Sequence, residues 1–205
     1  LREISRQHGV RIVGTNGMGL MAPHVGLNVR FAEHSPLPGD LALVSQSGAI
    51  AAGLVEWGRA RSIGFSAVVS LGDAMDVDFG DLLDWFAQDP KTRAILLYIE
   101  SIGDARKFLS AARAAARAKP VVVVKSGRHA QGAKAAATHT GALAGADAVY
   151  DAAFRRAGLL RVLALDELFA AAETLGHLRQ APGERLAILT NGGGIGVLAV
   201  DRLVD

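Results

Sequence analysis

The sequence predicts an α/β fold: a doubly wound parallel sheet of five strands with helices on both faces. Three observations carry that reading. Apolar runs rich in Val, Ile and Leu recur at 40–45, 65–71, 93–100, 120–125 and 159–162, with little polar alternation, as in strands covered on both faces. Helical patterns at 47–60, 79–88, 104–118, 145–157 and 165–178 separate and follow them, and strict strand–helix alternation marks a parallel sheet. Half of the 205 residues are hydrophobic and the mean hydropathy is +0.26, which suffices to bury a sizeable core.

Taken in order, residues 1–36 read as the tail of a preceding domain, with 10–14 as its last strand. The Pro- and Gly-containing turn at 36–39 then opens a domain spanning 37–180. Its first strand turns directly into a helix at Ser45-Gln46-Ser47-Gly48, and Asp78 and Asp104 are expected to cap the next two helices. Five strands favour the flavodoxin-like order 2-1-3-4-5, which puts the crevice at the carboxyl ends of the first and third strands. After the Pro182-Gly183 break, 186–190 and Gly192-Gly193-Gly194 read as a strand and the turn into another helix, so 181–205 is expected to begin a second such domain. The chain begins and ends within helical patterns and is expected to be a piece of a longer polypeptide.

Composition narrows the function classes. The absence of cysteine excludes disulfides, thiolate nucleophiles and Cys-based zinc sites, and fits a cytoplasmic location. A formal net charge of +2, with 22 basic residues dispersed among 20 acidic ones, argues against nucleic acid as a partner. The apolar stretches 95–99 and 121–124 fall far short of a membrane span. His8, His24, His34, His129 and His177 show no metal-ligand spacing, and no metal site is expected in this chain.

One histidine stands apart. His139 lies between Thr138 and Thr140 in a small-residue segment after the fourth strand, where α/β sheets place chemistry and where small neighbours admit a large substrate. The turns at Ser45, Ser47 and Gly48, and at Gly192, Gly193 and Gly194, present unpaired backbone N–H groups at a helix N-terminus, a ready phosphate site to which serine hydroxyls can add donors. The plain alternative is that the serines cap a helix and the glycines permit a tight turn. Neither turn matches the dinucleotide fingerprint, and the run from Gly127 to Lys134 fails as a P-loop because Ala133 precedes the lysine and Ala135 follows it. Glu100, ending the third strand, suits a carboxylate that orients an imidazole by accepting its ring N–H; the alternative is a solvated strand-end glutamate. Lys125 and Arg128, near the His139 segment, are candidates to neutralise phosphate.

Several motifs occur together in an order that resembles one family. Ser45-Gln46-Ser47-Gly48, Ser70-Leu71-Gly72-Asp73 with Asp76-Val77-Asp78-Phe79, Tyr98-Ile99-Glu100, Lys125-Ser126-Gly127-Arg128, Thr138-His139-Thr140-Gly141 and Thr190-Asn191-Gly192-Gly193-Gly194 are similar to those of the nucleoside-diphosphate-forming acyl-CoA synthetases, the superfamily of succinyl-CoA synthetase and ADP-forming acetyl-CoA synthetase. The resemblance spans nearly the whole chain and implies a succinyl-CoA synthetase-like domain. It implies that His139 is phosphorylated, that Glu100 steadies it, and that the two turns open helices holding the phosphoryl group. By the same resemblance 1–36 is the tail of a CoA-binding Rossmann domain, and Asn16 stands in its cofactor loop, where Gly14-Thr15-Asn16-Gly17 replaces the usual Gly-Pro-Asn-Cys.

The implied chemistry is a reversible relay. Acyl-CoA and phosphate give an acyl phosphate, His139 takes the phosphoryl group, and ADP receives it to form ATP, with Mg2+ and the nucleotide held by an ATP-grasp domain outside this chain. A second resemblance points to a different class. Met18-Gly19-Leu20-Met21-Ala22-Pro23, Gly26-Leu27-Asn28, the Ala/Arg-rich 111–117 and 152–160 resemble the synthetase-like, ligand-sensing region of bacterial protein lysine acetyltransferases fused to a GNAT domain. The acyl substrate, the nucleotide and the oligomeric state are left open by both.

Overall fold

The computed structural model describes residues 1–30, 33–129, 146–178 and 185–204. A short helix α1 (Arg2–Gln7) precedes strands β1 (Gly19–Ala22), β2 (Leu27–Arg30) and β3 (Leu37–Ser45). Helix α2 (Gly48–Ala60), β4 (Gly64–Ser70), α3 (Phe79–Gln88), β5 (Ala94–Ile99), α4 (Ala105–Ala118) and β6 (Val121–Lys125) follow. Then come α5 (Asp147–Ala157), β7 (Leu160–Val162), α6 (Leu165–His177) and α7 (Gly193–Val204).

The sheet has seven strands in the order β2-β1-β4-β3-β5-β6-β7. Its five parallel strands, β3 to β7, are the expected ones in the expected 2-1-3-4-5 order. The sequence reading missed β1 and β2, which join antiparallel at the β4 edge. Three other expectations are corrected. The turn expected at 36–39 is instead strand: β3 already pairs at Leu37 and Pro38, and the register shifts before Leu41. The strand expected at 10–14 is an extended segment bonded to a loop, its Ile12 and Gly14 carbonyls accepting from Val77 N at 3.0 Å and Met75 N at 2.8 Å. The strand expected at 186–190 joins no sheet among the described residues, and Leu186 and Leu189 are exposed.

Alternation along β3 splits the core into two layers. Ala42 and Val44 face a cluster with Phe79, Phe108 and Phe154, from α3, α4 and α5. These rings meet edge to face at 6.4 and 6.0 Å, the offset geometry that aromatic quadrupoles favour. Leu41 and Leu43 face the opposite cluster with Leu54 and Val55 of α2 and Leu168 and Ala172 of α6. Both faces of β3 to β6 are thereby largely dry, which is why these strands read as continuous apolar runs.

The caps set where helices start. Asp78 accepts from Asp81 N at 3.1 Å while Asp81 accepts from Asp78 N at 3.0 Å, a reciprocal capping box, and Asp104 accepts from Lys107 N at 2.9 Å. Gly158, at φ 81°, ends α5 in the left-handed conformation that a side chain would resist.

Candidate functional site

The parallel strands deliver Ser45, Ser70, Glu100 and Lys125 to the carboxyl end of the sheet, and all four are buried. At β3 the chain must change from strand to helix within two residues, and the Ser45 side chain makes that possible. Its hydroxyl donates to the Ser47 carbonyl at 2.7 Å and accepts from Ser47 N at 3.1 Å. Ser47 then caps α2 by accepting from Ile50 N at 3.3 Å. Both serines thus have partners inside the turn, as capping residues do, and the Ser47 bond engages its oxygen as an acceptor rather than its O–H as a donor. The donors this geometry presents are the N–H groups of Gly48 and Ala49, which have no intrahelical partner because they lie in the first turn of α2. Gly48 is packed closely: a Cβ there would lie 3.1 Å from Met18 Cβ.

The turn is tied to the end of β5 by a residue that sequence reading did not single out. Gln46, itself buried, accepts with Oε1 from Glu100 N at 2.7 Å and Ser101 N at 2.9 Å, and its backbone N–H donates to the Tyr98 carbonyl at 3.2 Å. No local signal predicts this, because the amide's partners are 54 and 55 residues away. Glu100 is thus held next to the α2 turn, and it is buried, which sets aside the solvated strand-end reading.

Electrostatics around Glu100 follow from burial. Desolvation pushes the Tyr98 phenol up, with the negative Glu100 adding to it and the Ser126 hydrogen bond opposing. Desolvation pushes the Lys125 ammonium down, offset in part by Asp147 and Glu100. Lys125 donates to the Ser126 carbonyl and lies over the Tyr150 ring. A cleft of about 430 Å³ opens beside Gln46 and Ser101, at the crevice that the strand order predicted. Its wall includes Asp73, Asp76 and Asp78; Asp76 is paired with Arg11 at 2.8 Å and Asp78 with Lys107 at 2.9 Å.

Asn16 is exposed at φ 54° and donates to Asp73 at 3.4 Å, at the rim of the cleft. Gly192 bonds within its own turn, accepting from Thr190 Oγ1 at 3.2 Å and donating to it at 3.1 Å, and Gly193 and Gly194 begin α7. His139 lies outside the described residues. Among the described residues no three His, Asp or Glu side chains are arranged to hold a metal ion, and no helix is long and apolar enough to cross a membrane.

Comparison with known proteins gives a consistent family. Residues 38–175 match the succinyl-CoA ligase-like flavodoxin domain. The chain is 47% identical over 201 residues to the α subunit of ADP-forming acetate–CoA ligase I from Pyrococcus furiosus, covering 98% of the chain and 44% of that protein. It is 40% identical over 203 residues to the ADP-forming 4-hydroxybutyrate–CoA ligase of Nitrosopumilus maritimus, covering 97% of the chain and 29% of that protein. The dinucleotide-forming acetyl-coenzyme A synthetase 1 of Ca. Korarchaeum cryptofilum, solved with phosphate and ADP, superposes with a TM-score of 0.92 at 38% identity, covering all of this chain and 44% of that one. The chain spans less than half the length of these relatives.

Proposed function

This chain belongs to the succinyl-CoA ligase-like flavodoxin family, within the nucleoside-diphosphate-forming acyl-CoA synthetases, and from that premise we propose that it carries the phosphohistidine relay of an ADP-forming acid–CoA ligase. The observation that carries the reading is the joining, through Gln46, of a helix N-terminus to a buried carboxylate at the carboxyl end of the sheet. A phosphoryl group needs fixed donors, and an imidazole that is alternately neutral and cationic needs a fixed acceptor. Here both are held by one turn.

In the relay, phosphate attacks the acyl carbon of acyl-CoA and releases CoA as acyl phosphate forms. The His139 imidazole then attacks phosphorus, releasing the carboxylate. Glu100 stabilises the cationic ring that results, and the Gly48 and Ala49 N–H groups take the phosphoryl oxygens. Transfer to ADP regenerates the neutral imidazole and gives ATP. In this proposal nucleotide and Mg2+ are held by an ATP-grasp domain, as the family resemblance implies. In the same proposal, 1–36 is the tail of a CoA-binding domain with Asn16 in its cofactor loop, and 181–205 begins a second flavodoxin-like domain whose turn at Gly192, Gly193 and Gly194 completes the phosphoryl site. The named relatives are CoA ligases, which favours this reading over the GNAT-fused regulatory one.

The test is incubation of the full-length protein with radiolabelled ATP and mapping of the label. An acid-labile, base-stable adduct is expected in the wild type and its loss in His139→Ala. Equal labelling of the two proteins would remove His139 from the mechanism.

A further inference from the structure

We infer that Gln46 is a positioning residue for phosphoryl transfer: its buried side-chain amide locks the turn opening α2 to the end of β5, fixing Glu100 relative to the Gly48 and Ala49 N–H groups. The inference rests on the relay proposed above. It adds a residue whose chemistry is indirect, since Gln46 acts through what it holds.

Four bonds from one residue make the lock. Oε1 receives two backbone N–H groups, Glu100 at 2.7 Å and Ser101 at 2.9 Å, and the Gln46 N–H reaches the Tyr98 carbonyl at 3.2 Å. Nε2 donates to Ser101 Oγ at 3.4 Å. The amide's orientation is dictated, because turning it over would aim an NH2 at two N–H donors. Both ends of the lock carry function in the relay. Gln46 immediately precedes the Ser47 cap of α2, and the N–H it receives belongs to Glu100 itself. Parallel pairing of β3 with β5 stops at Ser45 opposite Tyr98, so beyond that point the ladder no longer sets their spacing. The side chain of Gln46 takes over where the sheet ends. Loss of its acceptor leaves two backbone donors in need of a partner, and they can find water only if the strand end moves.

The experiment measures the rate of label incorporation from ATP into full-length protein for wild type, Gln46→Met, Glu100→Gln and the double variant. Methionine keeps the length and apolar bulk but not the acceptor. Gln46→Met is expected to slow labelling roughly 10- to 100-fold, as a misplaced group does. In the Glu100→Gln background the same change should cost less than about threefold, since the residue being positioned has already lost its charge. Equal fold losses in both backgrounds mean that Gln46 is merely structural, and overturn the inference. So does wild-type labelling by a folded Gln46→Met protein. A wild type that takes no label refutes the relay itself, and this inference with it.

Should Gln46→Met fail to fold, or Glu100→Gln take no label, Gln46→Glu decides. It keeps an acceptor for both N–H groups and places a second negative charge beside Glu100. The acid limb of the labelling-rate profile should then move about half a pH unit or more upward, because a new negative charge beside the relay holds protons on whichever of its groups must lose them. A profile that superposes on the wild type separates Gln46 from Glu100 and overturns the inference.

Discussion

The ammonium of Lys125 lies 4.6 Å from the centroid of the Tyr150 ring, joining the end of β6 to the first turn of α5. Only 2% of Lys125 is exposed, so its charge is maintained at a desolvation cost that the ring face, Asp147 and Glu100 offset in part. The consequence is a pH-dependent stability with a definite sign. Burial lowers the folded-state pKa, so between that value and the ordinary lysine value of about 10.4 the unfolded chain binds a proton that the folded chain does not. Wild-type stability should therefore rise with pH across this window relative to Lys125→Met. Denaturation of both proteins across the alkaline range gives the difference directly, and a flat difference would show that burial does not perturb Lys125.

The segment 10–14 is anchored by one buried carboxylate. Asp76, buried, receives Arg11 Nε at 2.8 Å and Ile12 N at 3.0 Å, and the Arg11 hydrogen bond, with that from Ile12, holds its carboxyl below the ordinary range. The anchor is complete above the ordinary carboxylate pKa and weakens as pH falls through the lowered one. Asp76→Ala is expected to speed amide exchange at Ile12, Met75 and Val77 about tenfold, while the β5 amides keep their protection. Unchanged exchange at Ile12 would mean that the backbone bonds to the 73–77 loop hold the segment alone.

That segment also shows what a sequence can reveal. Helices α2 to α6 were legible because each carries an apolar face at helical spacing, and Asp78 and Asp104 mark two of their starts. The four-residue strands β1 and β2 were not, since Gly19 and Asn28 interrupt their patterns and their partners are supplied only by the folded sheet. Segment 10–14 has an apolar, extended pattern yet pairs with a loop, a choice made by Asp76, more than 60 residues away. At the site, the α2 turn and Glu100 were visible as residue types at strand ends. Gln46 was not, because a glutamine's role depends on which backbone groups the fold brings to it.

Two glycines should respond oppositely to alanine. Gly53 lies exposed in the middle of α2, and a Cβ there meets nothing within 4 Å, so Gly53→Ala should stabilise by about 0.4–1 kcal/mol through reduced unfolded-state entropy. A Cβ at Gly64 would come within 2.1 Å of the Pro38 carbonyl oxygen, where the register of β3 against β4 shifts. Gly64→Ala should therefore destabilise by about 1–3 kcal/mol. Urea midpoints for the two variants, moving in opposite directions from wild type, are the expected result; movement in the same direction contradicts the packing described at the bulge.

A single donor at the α2 turn, the Gly48 N–H, can be removed on its own. Proline at Gly48 would occupy the first helical position, where its fixed φ suits a helix, and Ser47, at φ −93° and ψ 119°, already has the extended conformation that a following proline requires. The change thus removes one N–H without opposing the backbone. It also adds a Cβ against Met18, at 3.1 Å, so Gly48→Ala is the control: it brings the same Cβ contact and keeps the N–H. If this N–H receives a phosphoryl oxygen, Gly48→Pro should bind inorganic phosphate about tenfold more weakly than Gly48→Ala, the scale of one charge-assisted hydrogen bond. Crowding alone would weaken both equally. Calorimetric titration of the full-length variants separates the two cases, and equal affinities would exclude the Gly48 N–H as a ligand for phosphate.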